Sequence, residues 1–119
     1  MLRFAVVLPT LFKESVPKNV VEKLSAIMVE FRPAGLKAML TAVARIDPRE
    51  MLPTINVPTL LLYGEEDQQS PLKVAEEMHA AIPGSTLVTV PGVGHVVNLE
   101  APEIFNTEVR NFLQKEARR

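Results

Sequence analysis

The chain has 119 residues, which is enough for one small domain and too few for two ordinary ones. Apolar residues make up 47% and charged residues 23%, and the net charge of -1 leaves no broad basic field for nucleic acid or anionic lipid. The absence of cysteine excludes disulfides, thiolate metal sites and a cysteine nucleophile, and fits a reducing compartment. We therefore expect a cytoplasmic globular protein that binds neither nucleic acid nor membrane.

The first eight residues are apolar apart from Arg3, and Pro9 ends this run. The run is shorter than a secretory apolar core with its cleavage site, and far too short to span a bilayer. We expect a packed segment at the start of the chain.

Two helical patterns follow in the first half. Apolar residues recur at helical spacing over residues 19–31, where Asn19 and Glu22 stand three apart as in a capping box. After Pro33, a second apolar stripe covers residues 36–46. We predict a helical hairpin whose stripes pack into a core, with the lining of a ligand pocket as the alternative.

The second half changes to strand, helix, strand, helix. A continuous apolar run at residues 59–63 predicts a strand covered on both faces. A helix capped by Ser70 is predicted over residues 72–82, a second strand over 86–90 and a last helix over 101–115. This order predicts a parallel crossover, so the residues that follow both strands meet at one edge of the sheet.

Two residues that could take part in catalysis follow these strands. Asp67 comes four positions after the first strand and His95 five positions after the second. Because neighbouring parallel strands lie about 4.8 Å apart, the two loops can bring the carboxylate to the imidazole, fixing its tautomer and stabilising its protonated form. Gly92 and Gly94 allow a tight backbone path. Spacing alone leaves open that the pair is a turn former and a loop histidine.

We expect the other titratable residues to have structural or surface roles. His79, the second histidine, lies within a predicted helix, where a surface or half-buried position is expected. Glu65, Glu66 and Asp67 are adjacent in a loop and are expected to be solvated rather than to hold a cation. The two histidines are 16 residues apart, which matches no usual zinc spacing.

Two stretches resemble segments of the α/β-hydrolase family. Residues 58–67 read Pro-Thr-Leu-Leu-Leu-Tyr-Gly-Glu-Glu-Asp and are similar to the stretch that bears the triad acid. Residues 91–95 read Pro-Gly-Val-Gly-His, with Asn-Leu-Glu-Ala-Pro-Glu at 98–103, and are similar to the histidine segment. The resemblance runs from about residue 55 to residue 113. It implies Asp67 as the orienting acid, His95 as the general base, and no metal or organic cofactor.

The resemblance also implies an α/β fold class. We expect a partial α/β-hydrolase fold, with two parallel strands, a crossover helix and a C-terminal helix, preceded by lid-like helices. Residues 1–54 then form a helical lid-like segment, and residues 55–119 form the C-terminal βαβα part of the core.

The family's nucleophile lies in a Gly-x-Ser-x-Gly elbow, and this sequence has no such motif. Its four serines are Ser15, Ser25, Ser70 and Ser85. We therefore expect a fragment or truncated member of a serine hydrolase that acts on small acyl substrates such as esters or lactones. The chain alone should be inactive or very weak.

Two alternatives stay open. The chain could be a non-catalytic, self-associating module that binds an apolar ligand or a partner, or oligomerisation could assemble a site around His95 with Ser15 or Ser70 from another copy. A two-stranded parallel ribbon leaves apolar surface and strand edges uncovered. We accordingly predict a homo-oligomer that pairs strand edges or exchanges helices.

Overall fold

A computed structural model describes residues 16–118, so the predictions for residues 1–8 and for Ser15 lie outside the described residues. The described elements are helices α1 (Lys18–Val29) and α2 (Pro33–Val43), two 3-10 turns (Pro48–Glu50 and Leu52–Thr54), strand β1 (Leu60–Gly64), helix α3 (Leu72–Ala81), strand β2 (Thr86–Val90) and helices α4 (Val97–Glu100) and α5 (Pro102–Glu116). None of the described helices is long and apolar enough to cross a bilayer.

The two strands pair in parallel, as the sequence predicts. Leu60 lies opposite Thr86 and Gly64 opposite Val90, so both strands end at the same edge of the sheet. Helix α3 makes the crossover and contacts both strands. The fold class is confirmed, because these elements form the expected partial α/β-hydrolase fold.

The main cluster of buried side chains lies at the C-terminal edge of the sheet. Val90, Val93 and Val97 are buried together, and the partly buried side chains packed against them are Leu62, Ala101 and Phe105. Each buried valine contributes about 1.5 kcal/mol or more to folding. Since Val93 and Val97 flank His95 in sequence, the loop that carries this histidine is anchored in the core.

The helix starts differ from the predicted caps. The N-cap of α1 is Pro17, without a side-chain hydrogen bond, so the capping box of Asn19 and Glu22 is wrong. The fixed φ of proline sets the first turn, and Asn19 already lies inside the helix. The N-cap of α3 is likewise Pro71, so the predicted Ser70 cap is wrong.

The C-terminal region contains a short helix that the sequence analysis did not predict. The predicted helix at 101–115 corresponds to α5, and the short α4 precedes it. Ala101 separates the two with φ -136° and ψ 61°, because Pro102 disfavours a helical conformation in the residue before it.

The apolar stripes of the first half do not form a core within the described residues. No residue of α1 or α2 is buried, and Ile27 and Val43 are 57% and 60% exposed. The prediction that these stripes pack into a core is therefore wrong for this structure. In β1 only Leu61 among the leucines is buried. The sheet of the described chain has two strands, so each strand has one edge without a neighbouring strand.

Candidate active site

Asp67 is the buried acid of the loop that follows β1. Its side chain is 3% exposed, and its Oδ1 accepts hydrogen bonds from the backbone N–H groups of Gln69 at 2.8 Å and Ser70 at 2.9 Å. An aspartate that binds the backbone two and three residues ahead forms a local turn, which here leads into α3. These bonds fix the carboxylate and stabilise its negative charge.

His95 meets this carboxylate from the loop that follows β2. Its Nδ1 lies 2.8 Å from Oδ2 of Asp67, and its side chain is 40% exposed. The prediction that the two loops bring a carboxylate and an imidazole together is confirmed. An ionised carboxylate can only accept, so we place the proton on Nδ1 from the hydrogen-bonding pattern. Nε2 is then the basic nitrogen, and within residues 16–118 it has no hydrogen-bond partner.

The two loops are joined by backbone hydrogen bonds beyond the strand ends. The N–H of Glu65 donates to the carbonyl of Val90 at 3.0 Å, and the N–H of Glu66 donates to the carbonyl of Val93 at 2.9 Å. The parallel pairing thus extends into the loop that carries Asp67, which ties the segment before Asp67 to the segment before His95.

Two glycines allow the loops to approach so closely. A Cβ placed on Gly64 would overlap the carbonyl oxygens of Val93 and Gly94, so no other residue fits without a shift of the backbone. Gly92 has a φ of 71°, in the left-handed region that glycine adopts at least cost. The predicted need for a glycine at 92 is confirmed.

Glu100 is a further residue of the site, and the sequence predicted no role for it. Its Oε2 accepts a hydrogen bond from the backbone N–H of Gly94 at 3.2 Å. Glu100 is the last residue of α4, and a carboxylate six positions after a glycine-rich turn was the available signal.

A shallow cavity of about 200 Å³ opens at this edge of the sheet. It is lined by Leu62, Tyr63, Gly64, Asp67, Ser70, His95 and Val97. Its volume is below the roughly 300–1,000 Å³ of typical small-molecule sites. The described residues therefore form only part of the wall that a substrate pocket would need.

The serines near the other histidine and in α1 are engaged elsewhere. The Ser25 hydroxyl donates to the carbonyl of Val21 at 2.8 Å. Ser85 Oγ lies 2.8 Å from Nδ1 of His79 and donates to the carbonyl of the same residue at 3.2 Å, close to the end of α3. His79 is exposed, which agrees with its predicted surface position.

Ser70 lines the cavity beside His95, whereas Ser15 lies outside the described residues. Among residues 16–118, no group of three or more His, Cys, Asp or Glu side chains could hold a metal ion.

Comparison with known proteins identifies relatives of the chain. A family model described as TAP-like protein matches residues 38–118. A curated relative, the pimeloyl-[acyl-carrier protein] methyl ester esterase of Aliivibrio salmonicida, is 39% identical over 84 residues, which cover 71% of this chain and 32% of that protein.

Some solved structures match over nearly the whole chain. A malate-bound thermophilic esterase from Thermogutta terrifontis superposes with a TM-score of 0.88 at 32% identity, covering 96% of this chain and 43% of its own. The enol-lactonase from Burkholderia xenovorans LB400 superposes with a TM-score of 0.87 at 26% identity, and the match covers 92% of this chain and 43% of the lactonase chain. The chain thus spans about a third or less of the curated relatives that it matches, and under half of these solved chains.

Proposed function

The chain belongs to the α/β-hydrolase family, and we propose that it supplies the acid and the general base of a site that hydrolyses ester-type acyl bonds. The observation that supports this proposal is the 2.8 Å contact between Nδ1 of His95 and Oδ2 of Asp67. The acid is buried and held by two backbone N–H groups, while the imidazole borders an open cavity. A fixed acid and an accessible base are two of the components that triad-type acyl transfer requires.

In the proposed reaction, His95 acts through Nε2. This nitrogen takes the proton of an attacking hydroxyl while the hydroxyl oxygen bonds to the acyl carbon, and it later gives the proton to the leaving alkoxide. A water molecule then attacks the acyl carbon in the same way, and the carboxylic acid product is released. Asp67 keeps its charge throughout and stabilises the imidazolium that forms next to it.

In this proposal the hydroxyl comes from outside the 119 residues, because they contain no Gly-x-Ser-x-Gly elbow. The proposed substrate is a small acyl compound, since the named relatives are described as a methyl ester esterase, an esterase and an enol-lactonase. Neither nucleic acid nor a membrane is a proposed partner, and the cytoplasm is the proposed location, in keeping with the near-neutral charge and the absence of cysteine.

A chimera tests the proposal. This chain replaces the matching segment of the Thermogutta terrifontis esterase, and release of p-nitrophenol from p-nitrophenyl butyrate is measured. We expect turnover by the chimera, loss of turnover on His95→Ala and little change on His79→Ala, with no appreciable turnover by the isolated chain. A folded chimera that is inactive, or whose turnover survives His95→Ala, contradicts the proposal.

A second proposal concerns self-association. The apolar faces of α1 and α2 and the open edges of β1 and β2 support it, because a chain in water gains free energy by covering such surface. We propose a homo-oligomer formed through these faces, and the same surface is the basis for the alternative of a non-catalytic binding module. Analytical ultracentrifugation at micromolar concentration tests it, and a clean monomer contradicts it.

A further inference from the structure

We propose that Glu100 is a positioning residue for His95, acting by holding the backbone of the residue that precedes the histidine. Its Oε2 accepts the Gly94 N–H at 3.2 Å, and its Oε1 is buried. The inference rests on the proposed function only in giving His95 a catalytic role, because the positioning itself is a property of the folded chain.

The turn that carries His95 is held from two sides. On the sheet side, the Val93 carbonyl accepts the Glu66 N–H and the Gly64 backbone lies against the Val93 and Gly94 carbonyls. On the opposite side of the same peptide, the Gly94 N–H is satisfied by Glu100. Gly94 is buried, so its N–H needs an acceptor if the turn is to keep this conformation.

A carboxylate suits this task better than a neutral acceptor. A hydrogen bond to an ionised acceptor is roughly twice as strong as one between neutral groups. Glu100 is itself fixed, because it ends α4 and lies two residues before Pro102, which starts α5. The side chain therefore ties the glycine turn to the junction between α4 and α5. Without it, the turn keeps only its contacts on the sheet side, and we expect the imidazole to lose its alignment with Asp67.

The experiment follows the His95 ring and the Gly94 amide by NMR in the full chain. The sequence has two histidines, so with ring-labelled histidine the His79 signal serves as an internal reference. We expect the wild-type chain to give a downfield Nδ1–H resonance from the bond to Asp67. In Glu100→Ala, this resonance should be lost, and the Gly94 amide should exchange with solvent at least about tenfold faster.

Glu100→Gln tests whether the charge of Glu100 is needed or only a hydrogen-bond acceptor of the same size. The amide oxygen of glutamine can still accept the Gly94 N–H, so we expect it to retain the Nδ1–H resonance. Glu103→Ala is the matched control, because Glu103 is exposed in the first turn of α5 and should leave both signals unchanged. Should Glu100→Ala fail to fold, Glu100→Asp takes its place, since its side chain is one methylene shorter and should lose the contact.

Wild-type signals in a folded Glu100→Ala or Glu100→Asp chain would overturn the inference, and so would loss of the resonance in Glu100→Gln equal to that in Glu100→Ala. These signals are measured without any substrate, so their outcome does not depend on the proposed hydrolytic function. In the chimera, Glu100→Ala should then reduce kcat with little change in KM, because Glu100 is not among the described residues that line the cavity.

Discussion

The backbone of Gly64 lies directly against the carbonyl oxygen of Gly94, so the end of β1 supports the residue that precedes His95. A side chain at position 64 would overlap this oxygen and that of Val93. Both atoms belong to the main chain and cannot rotate away as a side chain can. The contact therefore couples the geometry of the acid-bearing strand to the position of the imidazole.

Gly64→Ala should destabilise the chain by about 1–3 kcal/mol, the usual cost of forcing extra atoms into a packed site. Gly35 is the matched control, because a Cβ there would meet nothing within 4 Å and the residue lies inside α2. Gly35→Ala should stabilise by about 0.5–1 kcal/mol, since alanine favours a helix over glycine. Urea unfolding followed by circular dichroism measures both, and equal effects would contradict the packing argument.

Asp67→Asn should separate the catalytic role of the carboxylate from its role in forming the turn. The Asn Oδ1 can still accept from the N–H groups of Gln69 and Ser70, so the turn should persist. The remaining amide group presents a donor towards Nδ1, which favours the wrong tautomer of His95. In the chimera we expect kcat to fall by about 10⁴-fold. A fall of less than about tenfold in a folded variant would remove Asp67 from the proposed mechanism.

The exposed pair Asp47 and Arg49 predicts a pH dependence in the segment between α2 and β1. The guanidinium of Arg49 donates to both oxygens of Asp47, and its backbone N–H adds a bond at 3.1 Å. The side-chain bonds are the main cause that lowers the pKa of Asp47 from 3.8 to about 2. Because the folded pKa is depressed, the stabilisation is present above pH 3.8 and is lost as pH falls through about 2.

The titration of the Asp47 carboxyl carbon, followed by NMR, measures this shift. We expect a midpoint near 2 in the folded chain and near 3.8 in Arg49→Ala. Both side chains are exposed, so high salt should also move the wild-type midpoint upwards. A midpoint that is the same with and without Arg49 would show that the ion pair does not form in solution.

The strands and the pairing of Asp67 with His95 could be predicted because local signals and topology agree there. The leucine run bounded by proline and glycine forms the predicted strand, and β2 matches its predicted range of 86–90. The expected cover on both faces of β1 is wrong for this structure, because Leu61 is the only buried leucine of that strand. Parallel strands then leave the sheet at one edge, which places the residues after them together whatever the details of the loops. The roles of acid and base stay predictions, and so does the division at residue 54.

The helix caps and the fate of the apolar stripes could not be predicted from local pattern. Pro17 and Pro71 replace the predicted polar caps, because the fixed φ of proline starts a helix without a side-chain bond. Periodicity identifies an apolar face but not what covers it, so Ile27 and Val43 are exposed where a core was predicted. Glu100 was missed because its partner is a backbone N–H, and a carboxylate six positions after a glycine-rich turn is only a weak signal for such a contact.

The exposed stripe of α2 gives a direct test of self-association. Val43→Glu places a charge in the middle of apolar surface, and we expect it to weaken association at least about tenfold, because burial of one valine is worth about 1.5 kcal/mol or more. Thr41→Glu is the matched control, since it introduces the same charge at an exposed polar position of the same helix. It should leave the sedimentation coefficient of the chain unchanged.

The two variants also distinguish between the faces that could associate. If copies meet through the open strand edges of β1 and β2 alone, Val43→Glu and Thr41→Glu will sediment alike and as oligomers, because α2 then stays in water. If they meet through the helices, only Val43→Glu will shift towards monomer. Equal loss of association in both variants would point to net charge rather than to the apolar stripe, and would count against the helical interface.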